Sequence, residues 1–69
     1  MEEVVLITVP SEEVARTIAK ALVEERLAAC VNIVPGLTSI YRWQGEVVED
    51  KELLLLVKTT THAFPKLKE

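Results

Sequence analysis

The chain begins with a strand-like run of apolar residues. Residues 4–9 read VVLITV, are nearly all apolar and largely β-branched, and are followed by Pro10. A strand with one exposed face alternates apolar and polar positions, so a continuous apolar run predicts a strand that is buried on both faces.

The pattern then changes to a helical period. Ser11 is the expected N-cap, and the two glutamates after it lie where the helix dipole favours carboxylates. Apolar residues then recur at three- and four-residue spacing, which predicts a helix over residues 11–26 with one buried face. The members of that face are Val14, Ile18, Ala21 and Leu22.

Strand-type residues return over residues 27–43 and 46–60. Pro35-Gly36 interrupts the first segment, and because strand-type residues resume at once we expect a bulge within one long strand. Gln44-Gly45 is suited to a tight hairpin turn, since glycine tolerates positive φ. The leucine-rich run 53–57 again lacks polar alternation, and its short length favours a buried strand over a helix.

A second helix is expected near the end of the chain. Thr60 or Thr61 would cap it, and Phe64 and Leu67 would begin its apolar face. The segment reaches Glu69 before a third turn is complete. We therefore expect residues 1–69 to be a single domain that is incomplete at its C-terminus.

The order strand–helix–strand–strand–helix predicts an α+β fold of the ferredoxin-like, split βαβ type. This fold is an antiparallel sheet with the helices on one face, and here it would be truncated before the fourth strand. The first and third strands would be central and apolar on both faces, although helices cover only one. A second copy of the chain is the expected cover, which predicts a homo-oligomer.

Composition excludes several classes of function. The 69 residues contain 8 Lys+Arg and 11 Asp+Glu, a net charge of −3, and nucleic-acid binding requires clustered cations instead. No apolar run approaches the roughly 18–20 residues of a membrane span, and the acidic start is unlike a signal peptide. We expect a cytoplasmic protein that binds neither nucleic acid nor membrane. The absence of a nucleophile elbow, P-loop or Gly-rich dinucleotide turn predicts that it is not an enzyme.

Three stretches resemble the CutA family, the divalent-cation tolerance proteins. They are residues 22–32 (LVEERLAACVN), 39–45 (SIYRWQG) and 55–60 (LLVKTT). The stretches follow the family's order and spacing, and the whole sequence is similar to a CutA protein of a thermophile. The resemblance implies a ferredoxin-like homotrimer whose long second and third strands join sheets between subunits. It also implies that a fourth strand and a His-Pro-Tyr segment lie beyond Glu69, which makes a complementing C-terminal segment an expected partner.

The resemblance also implies an association with copper and other divalent cations. A first-strand cysteine of some members corresponds to Ile7, and the family's histidines would lie beyond Glu69, so no metal ligand carries over. Cys30 and His62 are the remaining thiol and imidazole, the ligands that copper prefers. We expect Cys30 to be a small buried side chain and His62 to be exposed, unless a symmetric assembly brings three copies together. No cofactor is required, and Cu(II) or another divalent cation is the candidate ligand.

Aromatic residues at the predicted hairpin tip mark a contact surface. Tyr41, Arg42 and Trp43 are assigned to a subunit interface, with intrachain packing and ligand binding as alternatives. The hairpin also carries an acidic run at Glu46, Glu49, Asp50 and Glu52. Its spacing is not that of a calcium loop, so a solvated surface is expected there.

Two functions agree with these features. The first is a non-enzymatic trimer associated with divalent-metal tolerance that binds copper. The alternative is a structural or signalling trimer that binds a small ligand or a partner protein at the clefts between subunits.

Overall fold

The computed structural model describes residues 2–60, so the predicted second helix lies outside the described residues. The elements are β1 (Glu2–Val9), α1 (Glu12–Glu24), β2 (Cys30–Trp43) and β3 (Glu46–Thr60). Their order confirms the predicted strand–helix–strand–strand arrangement. None of the helical residues in this range forms a segment long and apolar enough to cross a membrane.

The three strands form one antiparallel sheet in the order β1-β3-β2. β3 pairs with β1 from Leu53 opposite Val9 to Thr60 opposite Glu2. It also pairs along its length with β2. β1 and β2 are therefore parallel to each other with β3 between them, which is the split βαβ arrangement expected from the sequence.

Helix α1 begins as predicted and ends earlier. The Ser11 side chain accepts a hydrogen bond from the Val14 amide at 3.2 Å. At the other end Arg26 has a φ of 60°, and the Arg26 and Leu27 amides donate back into the last turn. This is a Schellman ending built on a non-glycine residue, so the helix stops at Glu24 and not near Arg26.

The buried face of α1 differs from the predicted one. Ala15 and Ala19 are its buried residues, whereas Val14 and Ala21 are exposed. The small side chains of Ala15 and Ala19 let the helix lie close to the sheet. The larger Ile18 and Leu22 pack against the core, as predicted. The other buried residues of the core are Val9, Leu55 and Val57 from the strands and Ala28 from the connection before β2.

In the single chain β1 is covered on one of its two faces, and the predicted cover of the other face by a second copy stays a prediction. Val5, Ile7 and Val9 face the helix, but Val4 and Leu6 are 60% and 63% exposed. β3 shows the same alternation, with Leu55 and Val57 facing the helix and Leu54 and Leu56 facing away, because successive side chains of a strand point to opposite faces. The sheet thus has one face covered by α1 and an apolar face with no cover among the described residues, here named the open face.

β2 contains the predicted bulge. Val34 pairs with Leu54 and Leu37 pairs with Glu52, so Pro35-Gly36 lies opposite a single residue of β3. Gly36 has a φ of 83°, which an L side chain rarely adopts. The predicted start of this strand is also corrected, because β2 begins at Cys30 and residues 27–29 belong to the connection from α1.

A two-stranded hairpin extends past the bulge. β1 pairs no further along β3 than Leu53, so no third strand of the described range 2–60 lies beside residues 37–52; this hairpin is named the arm. Gln44 and Gly45 form its turn, with φ values of 49° and 81°. Two positive φ values define a type I′ turn, whose twist matches the flanking strands and confirms the predicted hairpin.

Candidate interaction surface

The open face is apolar where it crosses all three strands. Leu6 of β1 lies opposite Leu56 of β3, with Val4 as the diagonal neighbour of Leu56. At the far side Val34 of β2 lies opposite Leu54 and is 40% exposed. Monomeric soluble proteins rarely expose contiguous apolar surface of this kind. The open face is therefore the surface of the described chain most suited to binding another protein.

The arm continues this surface. The bulge adds one residue to β2, which reverses the alternation, so Tyr41 and Trp43 lie on the same side as the open face. Trp43 is 62% exposed. Arg42 lies on the opposite side of the arm, opposite Val47. The structure thus separates the predicted interface residues, with both aromatics on one surface and the cation on the other.

A hydrogen bond fixes the position of one arm aromatic. The Tyr41 hydroxyl donates to the Asp50 carboxylate. This bond raises the pKa of Tyr41 above its usual value, and desolvation and the negative charges of Asp50 and Glu52 add to the increase. Asp50 was expected to be merely solvated. Tyr41 lies directly opposite Val48, so Asp50, two residues further along β3, is its diagonal neighbour. A tyrosine reaches a diagonal neighbour, so this pairing is predictable in principle.

Cys30 lies on the same open face, which corrects the prediction that it is buried. It begins β2 opposite Lys58, and both side chains are exposed. The register explains this placement, because Val31 faces the helix and its neighbour must therefore point away. His62 lies outside the described residues.

Residues 2–60 of one chain do not form a metal site. Within that range, three or more His, Cys, Asp or Glu side chains do not come together in a way that could hold an ion. Ile7, at the position of the first-strand cysteine of some CutA members, faces the helix opposite Leu55. A metal site made from described residues alone would therefore need ligands from more than one chain.

The fold and the open face define a split βαβ protein with a protruding hairpin and an uncovered apolar sheet face. The chain belongs to the CutA1 family, because a family model described as "CutA1 divalent ion tolerance protein" matches residues 3–69. This establishes the resemblance seen in the three sequence motifs.

Individual relatives agree with this assignment. The divalent-cation tolerance protein CutA of Thermus thermophilus is 99% identical over 69 residues, which are all of this chain and 67% of that protein. The solved structure of CutA1 from Oryza sativa is 45% identical with a TM-score of 0.91, covering 97% of this chain and 62% of that one. The "PII-like protein CutA from Nostoc sp. PCC 7120 in apo form" is 41% identical with a TM-score of 0.84, covering 99% and 62%. The chain thus spans about two thirds of the length of these proteins.

Proposed function

We propose that the chain works as a non-enzymatic homotrimer in divalent-cation tolerance and binds Cu(II) or a similar cation between its subunits. The observation that carries the proposal is the open face with its continuation along the arm. Membership of the CutA1 family supplies the tolerance role. A cytoplasmic location and the absence of nucleic-acid and membrane partners stay predictions from composition, and a complementing C-terminal segment stays a prediction from the family resemblance.

Assembly is the first step of the proposal. Val4 and Leu6 leave most of their surface in water, and covering such surface is the main driving force of association. A second copy is the proposed cover because the face and the arm belong to every subunit. A contact between two different surfaces repeats head to tail and forms a ring when the rotation between neighbours is one third of a turn, which is the arrangement that the three subunits implied by the family resemblance require.

Cation binding is the second step. Copper prefers thiolate and imidazole ligands, and Cys30 presents its thiol on the face that assembly would cover. Three symmetric copies would supply three thiols from one position, which a single chain cannot do. His62 is the candidate imidazole.

A structural or signalling trimer is the second candidate. It is favoured by the description of the Nostoc relative as PII-like, and by the lack of a ligand cluster within residues 2–60 of one chain. In this case a small ligand or a partner protein would bind at the clefts between subunits, and copper would bind only to scattered surface groups.

Calorimetric titration of Cu(II) into the chain, with native mass spectrometry of the same sample, tests the choice. Metal tolerance predicts a trimer with a fixed number of ions that Cys30→Ser or His62→Ala removes. Asn32→Ala is the matched control, since it alters an exposed residue on the same face of the same strand as Cys30. A trimer whose copper binding is unchanged in both ligand variants would overturn the metal role and favour the second candidate. A monomer would overturn both.

A further inference from the structure

The end of α1 holds a charged residue in a strained backbone conformation. Arg26 has a φ of 60°, and the amides of Arg26 and Leu27 donate to the carbonyls of Val23 and Leu22 at 3.1 and 2.9 Å. This left-handed position usually holds glycine, because a Cβ atom there crowds the backbone. Strain of this kind is concentrated where a residue contributes to a site, such as a ligand clamp. The Arg26 side chain is therefore a candidate for a binding role.

Arg26 lines a cavity between the end of α1 and the end of β3, here named the helix-end cavity. Its volume is about 310 Å³, and its other walls are formed by Val23 of the helix, residues 27–29 of the connection, and Thr59 and Thr60 of β3. Arg26 is the one charged residue among these lining residues. Small-molecule sites are mostly apolar cavities of about 300–1,000 Å³ with few polar groups. The helix-end cavity is at the small end of that range, so it suits a small organic molecule better than a nucleotide.

Hydrogen bonds hold the walls of the cavity in place. Thr59 is 2% exposed, and its hydroxyl donates to the Leu27 carbonyl at 2.7 Å. The Ala29 amide donates to the Lys58 carbonyl at 2.9 Å. The connection is thus tied to β3 as well as to the last turn of α1. A preformed site of this kind binds a ligand without the entropy cost of ordering its walls.

The hydrogen-bond donors of the cavity determine the class of ligand. The amides of residues 26–29 all donate to carbonyls within the chain, so they are not available to a ligand. The Arg26 side chain is exposed, and the one salt bridge among residues 2–60 joins Arg16 to Glu12 instead. A guanidinium presents its N–H groups in a planar fork that matches the two oxygens of a carboxylate. The apolar walls suit the hydrocarbon part of the same ligand.

We propose that the helix-end cavity binds a small organic carboxylate, whose oxygens pair with Arg26 and whose apolar part lies against Val23 and Leu27. This site goes beyond the function proposed above, because a single chain supplies all of its lining residues and Cys30 is not among them. A cation at the end of a helix also interacts favourably with the helix dipole. That role needs only the positive charge, whereas the binding role needs the planar fork, so Arg26→Lys separates the two.

Titration with benzoate, followed by the amide NMR signals of Ala28 and Ala29, tests the site. We expect saturable shifts with a dissociation constant of about 1 mM, and binding at least about tenfold weaker for benzamide, which has the same shape without the charge. Arg26→Gly should weaken benzoate binding by at least about tenfold and keep or raise the denaturation midpoint, because glycine adopts this φ without strain. Arg26→Lys should also weaken binding and leave the midpoint unchanged.

Two matched controls separate the site from general effects. Gln44→Gly relieves the same positive φ in the hairpin turn, and Arg16→Gln removes a cation from the exposed side of α1; both should leave benzoate binding unchanged. Equal affinity for benzoate and benzamide, or no saturable shift at Ala28 and Ala29, overturns the site. Unchanged binding in Arg26→Gly or Arg26→Lys also overturns it. These results do not bear on the homotrimer or on copper binding, which are measured separately.

Discussion

Replacing Trp43 by alanine tests the arm as an assembly surface. The indole is 62% exposed in the single chain and lies on the same side as the open face. A tryptophan side chain presents about 250 Å², so about 155 Å² of indole is left for a partner to cover. At about 25 cal/mol per Å², complete burial of that area stabilises each contact by about 4 kcal/mol.

Alanine retains a small part of this contact, so we expect a loss of about 3 kcal/mol per interface. That loss corresponds to a rise of about a hundredfold in the dissociation constant of one contact. Sedimentation equilibrium over a wide concentration range measures it. Val47→Ala is the control, because Val47 is 69% exposed on the side of the arm that faces away. Trp43→Ala that assembles at the same concentrations as the parent, with unchanged far-ultraviolet circular dichroism, would refute the reasoning.

Three further outcomes follow from hydrogen bonds of the single chain. Ser11→Ala removes the N-cap and should lower the free energy of unfolding by about 1 kcal/mol; equal denaturant midpoints would contradict this. Thr59→Val removes a buried hydroxyl that donates to a backbone carbonyl at 2.7 Å and should cost about 1 kcal/mol, measured in the same way. Asp50→Ala should lower the pKa of Tyr41 toward its usual value, followed by ultraviolet titration of the single tyrosine. Because the folded pKa is raised, the stabilisation is present below the unfolded pKa near 10 and disappears as pH rises through the folded value. A titration unchanged by the substitution would show that Asp50 does not interact with the phenol.

Features set by local chemistry were predictable from the sequence. Gln44-Gly45 forms the hairpin turn because both residues tolerate positive φ, and Pro35-Gly36 forms the bulge because proline cannot donate to the ladder. The end of α1 was not predictable in the same way. Arg26 adopts a left-handed conformation that usually calls for glycine, so nothing in its residue type marks the stop.

Features set by the sheet as a whole could not be predicted. A continuous apolar run such as residues 4–9 predicts that both faces are covered, but it does not show which molecule covers each face. Cys30 was predicted to be buried because its neighbours are apolar. Its exposure depends on the pairing of β2 with β3, which places Val31 under the helix and Cys30 on the other side.

The bulge in β2 determines which surface of the arm points toward the open face. Before it, Val31 and Ile33 face the helix, and after it Tyr41 and Trp43 face away, although all four have odd numbers. Deleting Gly36 would remove the bulge without moving these surfaces, because Val34 would still pair with Leu54 and Leu37 with Glu52. If Pro35 and Gly36 were instead both paired in regular alternation, the register would shift by one residue and Arg42 would stand where the indole now stands, so the bulge absorbs a residue that would otherwise exchange the two surfaces of the arm.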